Sequence, residues 1–258
     1  MIKCTRRRQD YVLNVSLNDC LPGVMWQMVK TVRKVLEGFY WIMAREGMIP
    51  DCNIFLIQDE DRFVLFDAGI QHFYDDTGQA ISELGLNLKQ LDRLILTHTH
   101  LDHSGAIPEF LRDAKDCKVW VSEEEGTLLE QGDDTIVLGS MLGQRLPPIS
   151  VAKKLKEGDV ITVGKYTFQV LHTPGHSAGS LCFFEPQHQL LISGDVVFRH
   201  GSFGRVDFPT GNGAALKESI ARLAELPVEM LLPGHMGIAT TGGKREIQLS
   251  LQFARQVL

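Results

Sequence analysis

This chain has no C-x-x-C pair, no excess of positive charge and no run apolar enough for a comfortable membrane span. Each absence removes a class of protein. The five cysteines, Cys4, Cys20, Cys52, Cys117 and Cys182, are odd in number and widely spaced, which fits a reducing compartment without a disulfide framework. Cys182, inside Leu181-Cys182-Phe183-Phe184, reads as a small buried hydrophobe. A net charge of −6 argues against a partner recognised through nucleic-acid phosphates, and the short basic run Arg6-Arg7-Arg8 reads as a solvated end. The N-terminus carries no apolar core of signal-peptide length, so the expectation is a cytoplasmic protein with neither nucleic acid nor membrane as partner.

What remains is ordinary for a soluble globular protein: 44% hydrophobic and 22% charged residues over 258 positions. Strand-like segments include Tyr11–Val15, Asn53–Ile57, Phe63–Phe66, Leu91–Leu96, Lys118–Val121, Val160–Val163, Thr167–Leu171, Ser180–Phe184, Gln189–Ile192 and Met230–Leu232. Asp59-Glu60-Asp61 reads as a hairpin turn. Helical patterns fall at Thr77–Leu84, Ile107–Asp113, Ala214–Leu223 and Glu246–Val257. Interleaved strands and helices with no linker indicate a single α/β domain over 1–258.

Two further segments stand out. Met25, Met28, Val29, Val32, Leu36, Phe39, Tyr40 and Met43 recur at helical spacing, which predicts an extra amphipathic helix over about 24–45. It reads as a cover for the core, or as a lid or subunit contact in a homodimer. The apolar, Gly-punctuated stretch Ile136–Leu146 invites the same readings.

The densest chemistry is Thr97-His98-Thr99-His100-Leu101-Asp102-His103, which follows the apolar run Leu94-Ile95-Leu96. His98 and His100 are two apart, so on an extended segment their rings project to one side. Imidazole and carboxylate are the ligands of a metal ion that keeps a position open for chemistry. Further candidates lie far along the chain. Pro174-Gly175-His176 and Pro233-Gly234-His235 each deliver a histidine after a Pro-Gly turn, and Ser193-Gly194-Asp195 sets a carboxylate past a strand. Asp67 holds a similar place after Phe66, as a second partner to a ligand or as a turn cap. His172 reads as a strand-end residue, and His72, His188 and His200 as surface residues.

These motifs resemble the metallo-β-lactamase superfamily, whose H-x-H-x-D-H stands here as His98, His100, Asp102 and His103. The family's later His, Asp and His stand as His176, Asp195 and His235, and the resemblance runs from about Asn53 to His235. It implies a four-layer αββα sandwich and a metal-dependent hydrolase with two Zn²⁺, or with Mn²⁺ or Fe²⁺ in their place. One ion would be held by His98, His100 and His176, the other by Asp102, His103 and His235, with Asp195 bridging and Asp67 orienting a ligand histidine. Asp102 is also the candidate catalytic carboxylate. Two such ions would carry a hydroxide between them at neutral pH and polarise the substrate carbonyl.

The segment Gly201-Ser202-Phe203-Gly204-Arg205-Val206-Asp207-Phe208-Pro209 resembles a loop of the short glyoxalase II-like branch and of the persulfide dioxygenases. By that resemblance Arg205 would bind a substrate carboxylate; the alternative is that it pairs with Asp207 and holds the loop. The 23 residues after His235 are too few for glyoxalase II's helical glutathione-binding domain. The expected partner is therefore a small acyl compound: a thioester first, and a lactone second. The other class is oxidoreductase, an iron-dependent persulfide dioxygenase using His98, His176 and Asp195.

Overall fold

Runs such as Ile54-Phe55-Leu56-Ile57 have no polar alternation, so a strand built from them must be covered on both faces. The computed structural model, which describes residues 30–45 and 50–258, covers them in that way. The chain begins with strands β1 (Val32–Leu36), β2 (Phe39–Ile42), β3 (Ile54–Asp59) and β4 (Arg62–Phe66), then helix α1 (Tyr74–Glu83). Next come β5 (Leu91–Ile95), α2 (Leu101–Ser104), α3 (Ile107–Asp113), β6 (Lys118–Ser122) and α4 (Glu123–Gln131). Two short helices, α5 (Asp134–Val137) and α6 (Gly139–Leu142), precede β7 (Val151–Leu155). The second half is β8 (Val160–Val163), β9 (Tyr166–His172), β10 (Leu181–Glu185), β11 (Leu190–Gly194), α7 (Gly213–Glu225), β12 (Met230–Pro233) and α8 (Gly243–Val257).

Strands β1 to β7 form one sheet in chain order, and β12-β11-β10-β9-β8 form the other. Alternate side chains of each strand serve different layers. Phe55, Ile57, Val64 and Phe66 meet Phe168, Val170, Phe183 and Ile192 between the sheets. Their neighbours Ile54, Leu56, Phe63 and Leu65 pack outward against Ile81, Phe110 and Leu129 of α1, α3 and α4. On the far side Cys182, Phe184 and Leu231 pack against Leu216, Ile220, Ile247 and Leu251 of α7 and α8. The result is the αββα sandwich expected from the sequence, with Cys182 fully buried.

The helix expected over about 24–45 is corrected for its described part. Residues 32–42 form the β1–β2 hairpin, paired Val32↔Ile42 through Leu36↔Phe39 around Glu37-Gly38. Gly38 has φ +66, which a turn accepts and a helix interior does not. The helical spacing of apolar residues was incidental to a β-branched and aromatic run, in which Phe39 and Trp41 enter the space between the sheets while Ile42 faces outward. Residues 24–29 lie outside the described residues, as does the expected strand Tyr11–Val15. β7 was not foreseen: Val151-Ala152-Lys153-Lys154-Leu155 is an edge strand whose lysines mask its pattern.

Strand direction places the site. β4 and β5 run parallel, as do β11 and β12, and β9 shares their direction because β10 is antiparallel to both β9 and β11. The loops leaving β4, β5, β9, β11 and β12 therefore gather at one edge of the sandwich. Open sheets collect binding groups at the carboxyl ends of parallel strands.

Candidate metal centre

Every charged or imidazole residue singled out from the sequence at those strand ends arrives at this edge. Asp67 follows β4, His98 and His100 follow β5, and Asp102 and His103 lie in α2. His176 sits beyond β9, Asp195 directly after β11, and His235 directly after β12. The ligand atoms of His98, His100 and His176 lie within 4.8 Å of one another, and so do those of Asp102, His103 and His235. A third such group, His98, His103 and Asp195, takes one histidine from each triad. That places the Asp195 carboxylate between the two. Its Oδ2 stands 3.5 Å from His176 Nε2 and 3.2 Å from His235 Nε2.

A cation fits these donors. His100 Nδ1 and His176 Nε2 face each other at 2.9 Å, and His103 Nε2 and His235 Nε2 at 3.3 Å. Two ring nitrogens that close need a proton or a positive ion near both lone pairs. His98 Nε2 and Asp195 Oδ1 are buried with no hydrogen-bond partner among the described residues. Burial, followed by the charges of neighbouring histidines, holds His98 well below the ordinary imidazole range and His100 down to about 3. Both are therefore neutral, as a metal ligand must be. Burial would raise Asp102, but His103 and His235 bring it down to about 2. Burial likewise opposes ionisation of His235, yet Asp195 and Asp102 lift it to about 10. In the protein without metal, His235 thus carries the positive charge that the carboxylates demand.

The rings of His103, His98 and His176 are also held on the side away from the cluster. His103 Nδ1 lies 2.9 Å from Asp67 Oδ2. The same oxygen accepts the Thr97 hydroxyl at 2.9 Å, and that hydroxyl oxygen lies 3.1 Å from His98 Nδ1. Asp67 therefore contacts one histidine ring directly and one through Thr97, one from each triad, and also accepts the Thr97 amide at 2.7 Å. It does so from a left-handed backbone conformation, φ +63, which is unfavourable for a residue with a Cβ. Cys52 lies beside His103 and Asp67, but burial pushes its thiol up to about 12, so it is neutral. His176 Nδ1 donates to the Arg205 carbonyl at 2.7 Å.

Both Pro-Gly turns aim their histidines, for different reasons. Gly175 adopts φ +136, a conformation open to glycine. At Gly234 the constraint is space, since a Cβ there would collide with Asp195 Oδ1 and His103.

Glu125 was not anticipated from the sequence. Its buried carboxylate accepts Thr99 N at 2.9 Å and the Thr99 hydroxyl at 2.8 Å on one oxygen, and Gly179 N at 3.0 Å on the other. It thereby ties the backbone between His98 and His100 to the loop that carries His176. The available signal was Ser122-x-x-Glu125, a helix-start pattern in which Ser122 does accept the Glu125 amide. In a capping box the acidic side chain turns back to its own helix; here it is diverted to the site.

Arg205 is paired within its own loop in the free protein. Its guanidinium forms a two-pronged pair with Asp207 at 2.9 and 2.6 Å and lies 4.6 Å from the centre of the Phe208 ring. His172 Nε2 donates to the Ala178 carbonyl outside the cluster, and His188 pairs with Glu185, so neither joins the ligands. His72 packs on Phe73, and the His200 amide donates to Glu246. A cavity of ≈ 350 Å³ opens beside the cluster, lined by His100, Asp102, His176, Asp195 and His235. The apolar side chains of Leu138, Met141, Leu142, Phe203 and Phe208 also line it.

The sequence pattern of the metallo-beta-lactamase superfamily matches residues 49–235. The chain belongs to the metallo-beta-lactamase superfamily. As a superfamily hydrolase it is 34% identical over 206 residues to hydroxyacylglutathione hydrolase GloC of Haemophilus influenzae, covering 76% of this chain and 89% of that one. It is 31% identical over 244 residues to acyl-coenzyme A thioesterase MBLAC2 of Gallus gallus, covering 84% and 83%. Among solved structures, TTHA1623 in a di-iron-bound form superposes with a TM-score of 0.62 at 30% identity, covering 82% of this chain and 97% of that one. The superfamily binds divalent metals, commonly two, and the paired triads suit that use. No helix among the described residues is long and apolar enough to cross a membrane.

Proposed function

We propose that this protein is a dinuclear metal-dependent hydrolase of small acyl thioesters, similar in chemistry to glyoxalase II. The observation that carries the reading is the position of Asp195 between the triads His98/His100/His176 and Asp102/His103/His235. A mononuclear site would need only one of them. In this reading His98, His100 and His176 hold one ion, Asp102, His103 and His235 hold the other, and Asp195 serves both. When bound, the ions supply a water ionised near neutral pH and a Lewis acid for the thioester carbonyl.

The chain's own residues do the rest. Asp67, Thr97, Glu125 and the Arg205 carbonyl fix the ring orientations described above. Asp102 lines the cavity, and in this reading it is the candidate carboxylate for the proton of the attacking water. Phe208 stands edge-on to His100 at 5.2 Å and to His176 at 5.9 Å, which keeps bulk water from that face. No separate acid is required for the leaving group, because a thiol with a pKa near 8.5 departs as thiolate, whereas an amine must be protonated. That favours thioesters over β-lactams. The names of the relatives GloC and MBLAC2 support the same bond type.

The described cysteines, Cys52, Cys117 and Cys182, are free and buried, which fits the cytoplasm as the site of action. A lactonase is the second reading, since an apolar wall beside two ions suits an acyl lactone equally well. The test is turnover of thioesters, lactones and β-lactams by zinc-, manganese- and iron-loaded protein. Thioester hydrolysis is the expected result. Oxygen uptake with a persulfide by the iron form, without hydrolysis, would replace the reading with a dioxygenase.

A further inference from the structure

Leu138 joins α5 to α6 in a left-handed conformation, φ +60 and ψ +26, unfavourable for a leucine by about 1–2 kcal/mol. Strain of that kind persists where surrounding contacts over-determine it, and it clusters at functional sites. The contacts are visible. The Thr99 hydroxyl donates to the Ile136 carbonyl at 3.2 Å, Ser140 N donates to Asp134 at 3.0 Å, and Gln144 Nε2 donates to the Gly105 carbonyl at 3.0 Å. Two of these ties run directly to the histidine-bearing segment. They hold Leu138 inside the cavity and leave Met141 and Leu142 on its lining, 62% and 40% exposed. Phe203 and Phe208 add to its apolar lining.

Resting on the thioesterase reading, we infer that Leu138, Met141 and Leu142 form an acyl-selecting wall, and that preferred substrates carry a flexible apolar chain of several methylenes. The thioester carbonyl must sit beside the ion-binding cluster, so either the acyl chain or the thiol carrier extends along this wall. Thiol carriers such as glutathione and coenzyme A are polar and anionic. In the metal-loaded protein, where His235 is neutral, the cavity offers them little: its one cationic lining side chain among the described residues, Arg205, has its fork committed to Asp207. An apolar chain gains what a short hydroxyacyl group cannot, because each buried methylene contributes about 0.8 kcal/mol.

The experiment uses metal-loaded full-length protein and two readouts. Binding of straight-chain carboxylates from acetate to decanoate, measured by calorimetry, needs no turnover; affinity should climb by roughly two- to fourfold per methylene until the wall is covered. Acyl-coenzyme A esters of the same lengths should show a matching climb in kcat/KM. In the double variant Met141→Asn/Leu142→Asn, both exposed and so compatible with folding, the decanoyl-to-acetyl ratio should fall by about tenfold or more in either readout. Carboxylate affinity independent of length, or a ratio unchanged in the double variant, overturns the wall. If carboxylates show the climb but no thioester is hydrolysed, the wall stands and the proposed reaction falls. If thioesters are hydrolysed with no dependence on length, the reaction stands and the wall falls.

Discussion

Asp67 Oδ2 lies 2.9 Å from His103 Nδ1 and 2.9 Å from the hydroxyl of Thr97, which in turn meets His98. One carboxylate oxygen therefore sets the tautomer of a histidine in each triad. Asp67→Asn would present an amide N–H or a weaker acceptor to both. Loss of such a partner lowers metal affinity by about 10- to 100-fold. Chelator competition followed by metal analysis should show both ions bound more weakly, not one.

Asp195→Ala removes the group between the triads. The expected outcome is loss of hydrolysis together with loss of one or both ions, read as metal content after dialysis. Full turnover with a normal complement of metal would deny Asp195 its bridging place.

Glu125→Gln keeps size and shape but turns one acceptor into a donor facing either the Thr99 or the Gly179 amide. A buried donor left opposing another donor costs about 1–3 kcal/mol. The ion held by His98, His100 and His176 should weaken while that of the other triad changes less. The cobalt-substituted protein should report this as an altered absorption spectrum for one ion of the two.

Arg205→Ala should change KM equally for acidic and neutral thioesters, because the guanidinium is already paired with Asp207 on an exposed surface. Exposed pairs of that kind contribute little to stability. A selective rise in KM for acidic substrates would show instead that the pair opens to receive a carboxylate.

The charge balance around His235 predicts how metal and protons compete. Its folded-state value, about 10, lies above the ordinary 6.5. Stability from its protonated form is therefore fully present below 6.5 and is lost as the pH rises through 10. The melting temperature of chelated protein should fall over that interval, and the metal-loaded protein should be flatter. Ligation requires neutral His235, so metal binding at pH 8 should release a proton, detectable by calorimetry in buffers of different ionisation heat.

Much of this was legible because the residues concerned are locally self-announcing. His98, His100, Asp102 and His103 share one short segment, and two Pro-Gly turns mark His176 and His235. Apolar runs without alternation identified most strands of both sheets. Four things were not legible, among them the edge strand β7, whose lysines mask its pattern. The β1–β2 hairpin imitates helical spacing, because a run with Val35, Phe39, Tyr40 and Trp41 places apolar residues at nearly every position, and Gly38 alone marks the break. Glu125 lies among three consecutive glutamates, and nothing local says which of them turns inward. Arg205 could serve a substrate or a neighbour, and side-chain geometry alone distinguishes them.

The sequence by itself determined the ligand types, their order and the α/β class, because metal ligation and strand burial are properties of residue identity and short spacing. Tertiary structure decided which atoms share a centre. Parallel strand ends bring His98, His176, Asp195 and His235 together across more than a hundred residues, and only that convergence puts Asp195 between two triads. It also set the apolar wall at Leu138, Met141 and Leu142 beside them, through hydrogen bonds from Thr99 and Gln144 that no periodicity encodes.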